Sequence, residues 1–182
     1  MAESKYSKIE PMNRDKAVAK AKEIIEVTGM TEWPQCSLLN NPNVRVQTPF
    51  VMQEEAEGDG EALMQTYIVP YGIEGDHDEH GTPLTRMCIL LDAITGEFQE
   101  VAVFGKPVAY ITSDTAIMVV ASALRKLPNQ LVGAVATPIF EPGEITNVRA
   151  YPFWKVVVDG RAYFVDQTGK LYGQLSPSKG GS

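Results

Sequence analysis

Trp154-Lys-Val-Val-Val158, Asp159-Gly160, Arg161-Ala-Tyr-Phe-Val165 and Asp166-Gln-Thr-Gly169-Lys170-Leu-Tyr172 read as three short strands joined by two tight turns. Asp-Gly suits a two-residue hairpin turn, because both central residues of that turn need positive φ. Asp-x-Thr-Gly is a turn of another kind, in which the carboxylate accepts hydrogen bonds from the backbone just beyond it. Apolar and β-branched residues on either side mark an antiparallel sheet.

The same ending occurs earlier in the chain. Leu91-Asp92-Ala-Ile-Thr95-Gly96-Glu97-Phe98 matches Val165-Asp166-Gln-Thr168-Gly169-Lys170-Leu171 with a one-residue gap. Upstream of the first copy, strand patterns cover Val44–Thr48, Ala62–Tyr71 and Thr85–Leu91, and Glu97–Phe104 follows it. Upstream of the second they cover Leu131–Phe140 and Val148–Val158. A helix precedes each set. Asn13 caps the first; Ala17, Val18, Ala21, Ile24, Ile25 and Thr28 share a face, and Gly29 stops it. The second begins near Ser113-Asp114, is apolar nearly all round, and ends before Pro128. Gly105-Lys-Pro107 is a natural boundary.

The expected fold class is α+β: two similar units, each a helix packed on an antiparallel sheet. Residues 1–12 form a flexible N-terminus, 13–105 the first unit with acidic hairpin insertions, 106–175 the second unit, and 176–182 a flexible tail. The two sheets are expected to continue into one another or to pack together, because small sheets are poorly stable alone.

The chain has 182 residues, of which 44% are apolar, and carries a net charge of −7. Residues 1–100 hold 18 acids against 8 bases, and residues 101–182 hold 5 against 8. Glu54–Glu61 contains five acids and Glu74–His80 four. Such a field repels phosphate backbones and argues against nucleic acid as a partner. No apolar run approaches the roughly 20 residues that span a bilayer, so membrane insertion is not expected. The N-terminus lacks the apolar stretch of a signal peptide, which points to the cytoplasm, with the mature form of an exported precursor as the alternative. Two cysteines, Cys36 and Cys88, make neither a disulfide framework nor a C-x-x-C site.

Apolar-Asp-x(1–2)-Thr-Gly-Glu/Lys-apolar at the end of a helix-plus-strands unit resembles the PepSY domain, best over Trp154–Lys170 and also over Cys88–Phe98. Tandem units of this kind are similar in architecture to the β-lactamase inhibitor protein type. The resemblance implies a small non-catalytic module that restrains or inhibits a partner, and carries over no catalytic residue.

Three places could carry a function. Both histidines lie in Glu74-Gly-Asp76-His77-Asp78-Glu79-His80, so Asp76, His77, Asp78 and His80 are candidate ligands for a divalent transition metal. Glu54, Glu55, Glu57 and Asp59 are candidate contacts to the basic surface of a protein partner. Tyr151, Phe153 and Trp154 are candidate aromatic anchors for the same partner. Nucleophilic catalysis normally needs a base such as His near a Ser or Cys, and neither histidine is so placed in sequence. The leading expectation is a non-catalytic, inhibitor-like protein-binding module without a cofactor, and the alternative is a metal-binding protein using the His77/His80 loop.

Overall fold

A helix spans Arg14–Thr28 (α1). The Asn13 side chain accepts from Lys16 N–H at 2.9 Å, and Gly29, at φ 62°, closes the helix. Ala17 and Ala21 on its inner face are fully buried. The computed structural model describes residues 10–54, 64–141 and 148–173. After α1 come two short 3-10 turns, Met30–Glu32 and Pro34–Asn40, then strands β1 (Val44–Val46), β2 (Phe50–Glu54), β3 (Met64–Ile73), β4 (Leu84–Asp92) and β5 (Phe98–Ala109). The second helix, α2, spans Ser113–Ala123. A 3-10 turn at Pro128–Gln130 leads to β6 (Val135–Phe140), β7 (Phe153–Val158), β8 (Arg161–Val165) and β9 (Leu171–Tyr172).

The nine strands among the described residues belong to one sheet, in the order β5-β4-β3-β2-β6-β7-β8-β9, with β1 also paired to β3. The chain is therefore α+β, with a large and mostly antiparallel sheet. Among the described residues one parallel pairing joins the halves, through Gln53 opposite Ile139 and Glu54 opposite Phe140. β1 and β2 lie end to end along β3, with Gln47-Thr48-Pro49 between them; Gln47 N–H donates to the Pro70 carbonyl at 2.8 Å.

Register decides which face each helix covers. α1 packs on Tyr67, Val69, Tyr71, Met87, Ile89 and Leu91. α2 packs on Val156, Val158 and Val165, with Ala136 and Trp154 alongside. Ala136 and Phe140 share a face of β6, and Phe140 clusters with Met52, Ile68, Cys88 and Leu90, the face of the first half turned away from α1. The two helices thus sit on opposite faces of a continuous sheet.

The junction between halves has its own core. Phe140 and Ala150 from the second half bury Met52, Ile68, Cys88 and Leu90 from the first. Each large apolar side chain buried there contributes roughly 1.5–3 kcal/mol. Tyr110 OH donates to the Ala150 carbonyl at 2.6 Å and lies 3.1 Å from Cys88 Sγ. Burial pushes the Cys88 thiol up to about 12, which keeps it a neutral thiol, and the Tyr110 phenol well above its ordinary value.

Local expectations are refined at several places. β5 runs through Gly105-Lys106-Pro107, so the boundary expected at residues 105/106 falls inside a strand. Pro107 is tolerated there because β5 is an edge strand. Val148–Pro152 turns, with Tyr151 N–H on the Val148 carbonyl at 2.9 Å, instead of extending β7. Thr112 caps α2 in place of Ser113, its hydroxyl accepting from Thr115 N–H at 3.2 Å. The same helix stops at Ala123: Lys126 N–H bonds to the Ala121 carbonyl and Arg125 N–H to that of Ser122, which puts Arg125 in the left-handed region at φ 53°. A non-glycine residue there costs about 1–2 kcal/mol. Arg125→Gly is accordingly expected to stabilise the protein by about 1 kcal/mol in urea unfolding, and an unchanged or lowered midpoint would contradict this geometry.

Candidate functional site

The break between β1 and β2 opens a pocket. Pro49 precedes β2 and Phe50 starts it, Pro70 interrupts the donor row of β3, and Tyr110, Ile111, Thr112 and Ser113 cross from β5 into α2. Together with Trp154 and Gln167 these residues enclose about 340 Å³ at the junction of the halves. That lies within the range of about 300–1,000 Å³ typical of ligand pockets. Gln47, Thr48, Thr82, Pro83 and Thr85 line its far end, and Arg14 is its only charged lining residue among those described.

The walls are held in place by hydrogen bonds. The Ile111 peptide is clamped from both sides: its N–H donates to Gln167 Oε1 at 3.0 Å and its carbonyl accepts from Trp154 Nε1 at 3.1 Å. Gln167, itself buried, donates onward through Nε2 to the Pro152 carbonyl at 2.6 Å. Phe50 meets Tyr110 edge-on, with ring centroids 5.1 Å apart. The aromatic side of the pocket is therefore preorganised, which lowers the entropy cost of filling it.

The β3–β4 hairpin forms one rim. Asp78 Oδ1 accepts from Thr82 N–H at 2.7 Å and from His80 N–H at 2.9 Å, while Asp78 N–H donates to the Thr82 carbonyl. These bonds, Thr82 first, hold the Asp78 carboxyl below its usual value. They also position Thr82 and Pro83 on the pocket wall. His77 pairs with Pro83 through a single antiparallel bridge.

The histidine loop is thus folded, and its carboxylates are engaged. Asp76 Oδ2 receives Arg86 Nη2 at 2.6 Å and Nε at 3.0 Å, and Asp78 is occupied with the backbone. His80 Nε2 lies 3.5 Å from Glu79 Oε1, both exposed. Among the described residues no three His, Cys, Asp or Glu side chains converge as a metal-ligand group. Asp76, His77, Asp78 and His80 lie in the hairpin that supplies Thr82 and Pro83 to the pocket, and none of the four lines it.

The aromatic candidates part company. Trp154 lines the pocket. Phe153, 5% exposed, is buried on the opposite sheet face against Tyr172, with ring centroids 5.5 Å apart. Tyr151, 36% exposed, stands edge-on to Phe104 at 5.3 Å. Glu54 is taken up internally by Arg149, whereas Glu55, Glu57 and Asp59 lie outside the described residues. Phe50, Tyr110 and Gln167 were not among the sequence candidates. The one signal for them was Pro49 beside Phe50 and Pro70 within a strand pattern, two missing donors that disturb a sheet at the same level.

No protein-family model matches the chain. No curated protein is significantly similar to it. No helix among the described residues is long and apolar enough to cross a membrane.

Proposed function

We propose that this protein is a non-catalytic, inhibitor-like module that binds a segment of another protein. The observation that carries the reading is the preorganised pocket walled by Phe50, Tyr110 and Trp154. Large aromatic side chains in a desolvated pocket are where interfaces concentrate their binding energy. The exposed charge of Glu79 would steer a basic surface toward it, and the sequence adds Glu55, Glu57 and Asp59 to the chain's negative charge. The favoured partner segment has one apolar side chain for the pocket and Lys or Arg beside it.

We infer further that the halves are two copies of one PepSY-like unit. Half a turn about an axis along the strands, between β2 and β6, would keep those strands parallel, mirror the strand order and exchange the faces that α1 and α2 cover. It would also superpose the β4–β5 turn on the β8–β9 turn. In the first, Asp92 Oδ1 accepts from Thr95 N–H and Ile94 N–H; in the second, Asp166 Oδ1 accepts from Thr168 N–H and Lys170 N–H. Gly96 and Gly169 each donate to the carbonyl of their Asp, at φ 77° and 82°.

A random eight-residue peptide library selected on the protein tests the binding reading. Enrichment of an apolar residue flanked by Lys or Arg is expected. Trp154→Ala should weaken the selected peptides by about tenfold or more. Arg14→Glu, which removes the only cation among the described lining residues, should tighten them, and Glu79→Lys should slow association at low salt. Peptides that bind Trp154→Ala as well as the parent would place the interface elsewhere.

A further inference from the structure

The pocket at the junction has more room than one apolar side chain fills. Its volume of about 340 Å³ is more than twice the roughly 150 Å³ of a cavity that seats one benzene ring. Its lining also has a charge that the apolar walls do not use. Arg45, Arg86 and Arg149 each lie on a carboxylate. The Arg14 guanidinium makes no hydrogen bond or ion pair with another described residue, and no carboxylate is among the described lining residues. Thr48 and Ser113 bring two further side-chain hydroxyls, neither of them bonded to another described residue. Arg14 is the first residue of α1 and Ser113 the first of α2, so both helices begin at this cavity, and the positive ends of their dipoles add to the Arg14 charge. In a chain of net charge −7 this is a local positive spot beside an aromatic wall.

We propose that the pocket binds a small two-ring aromatic carboxylate, with its rings among Phe50, Tyr110 and Trp154 and its carboxylate at Arg14, and that this ligand competes with the protein segment. Two rings match the volume that one ring leaves half empty. The planar guanidinium fork suits a carboxylate, and the Thr48 and Ser113 hydroxyls can donate to the same group. A single negative charge suffices: the acidic surface opposes a polyanion far more than it opposes one carboxylate. Arg14 is exposed, so solvent screens the pair and the gain from it is modest. The competition rests on the pocket being the partner's site, as proposed above, whereas the ligand site rests on the cavity alone.

Titration of the full chain with 2-naphthoate, followed by the indole N–H signal of Trp154, tests both parts. A saturable shift is expected, half complete at about 1 mM or below. 2-Naphthamide, with the same rings and no charge, should bind about tenfold more weakly, and so should 2-naphthoate to Arg14→Met, with an unchanged circular dichroism spectrum. Arg14→Glu should abolish naphthoate binding while it tightens the basic peptides, whereas a damaged pocket would lose both. Added 2-naphthoate should displace a library-selected peptide. No shift of Trp154 up to roughly 10 mM, or equal binding of the acid and the amide, would overturn the ligand site. A peptide that stays bound while 2-naphthoate saturates Trp154 would overturn the competition and the partner reading and leave the ligand site standing.

Discussion

Gly72→Ala is expected to cost about 3 kcal/mol or more and to lower the thermal midpoint by roughly 6–12 °C. Gly72 sits in β3 opposite Arg45 of β1, where the chain closes on itself from two sides. A Cβ there would overlap both the Leu84 carbonyl oxygen and the Gln47 side-chain amide. The backbone oxygen cannot swing away as a side chain could. The Gln47 amide is equally committed: its Nε2 donates to that same carbonyl at 3.0 Å, and its Oε1 accepts from the Thr85 hydroxyl. Relief of the clash would require β1 to part from β3 and the start of β4 to shift. Gly105→Ala is the matched control, because nothing lies within 4 Å of a Cβ at that position of β5. Equal midpoints for the two variants in a thermal melt would contradict the close approach at Gly72.

Arg149→Met is expected to destabilise by about 2–4 kcal/mol, and Glu54→Met added to it should recover part of the loss. Arg149 reaches from the turn before β7 across the first half of the sheet. Its Nη2 contacts Glu54 Oε1, donates to Gln99 Oε1 at 2.8 Å and lies 3.1 Å from Thr66 Oγ1; Nε donates to Glu54 Oε1 at 3.0 Å, and Nη1 is 3.7 Å from Glu100 Oε2. Glu54 and Arg149 are 19% and 24% exposed, and Thr66 is fully buried. Removing the cation leaves a largely desolvated carboxylate with one hydroxyl, from Thr66, to bond. Removing both charges takes away that penalty, so a double-mutant cycle in urea should show coupling well above the few tenths of a kcal/mol seen for independent sites. Additive losses would mean that the ion pair does not fasten the halves.

Local chemistry made much of this fold legible. Asn13, Gly29 and the apolar face between them place α1 to the residue. Asp159-Gly160 adopts the two positive φ values, 51° and 75°, that its dipeptide implies, and both Asp-x(1–2)-Thr-Gly turns close hairpins. The junction was less legible because it is made by contacts distant in sequence. The parallel pairing of Gln53-Glu54 with Ile139-Phe140 rests on two residue pairs, and β2 has no alternating pattern, since both of its faces are covered. Arg149 lies inside the expected strand Val148–Val158 and was not a sequence candidate, because its partners lie 49 to 95 positions away. The site followed the same division. Trp154 stood out by residue type, whereas Phe50, Tyr110 and Gln167 become a site only when the two halves meet around a strand break. The histidine loop stood out by composition, and its Asp76–Arg86 pair and Asp78 turn depend on how the hairpin folds back.

Binding of a partner at the junction pocket has a direct readout in the chain's two tryptophans. Trp33 packs beside the core under α1, and Trp154 lines the pocket with its indole N–H on the Ile111 carbonyl. With the indole nitrogens labelled, each gives its own signal in a proton–nitrogen spectrum. Titration with a library-selected peptide is predicted to move the Trp154 signal to saturation and to leave Trp33 in place. Saturable binding that leaves Trp154 unmoved would contradict the pocket as the site.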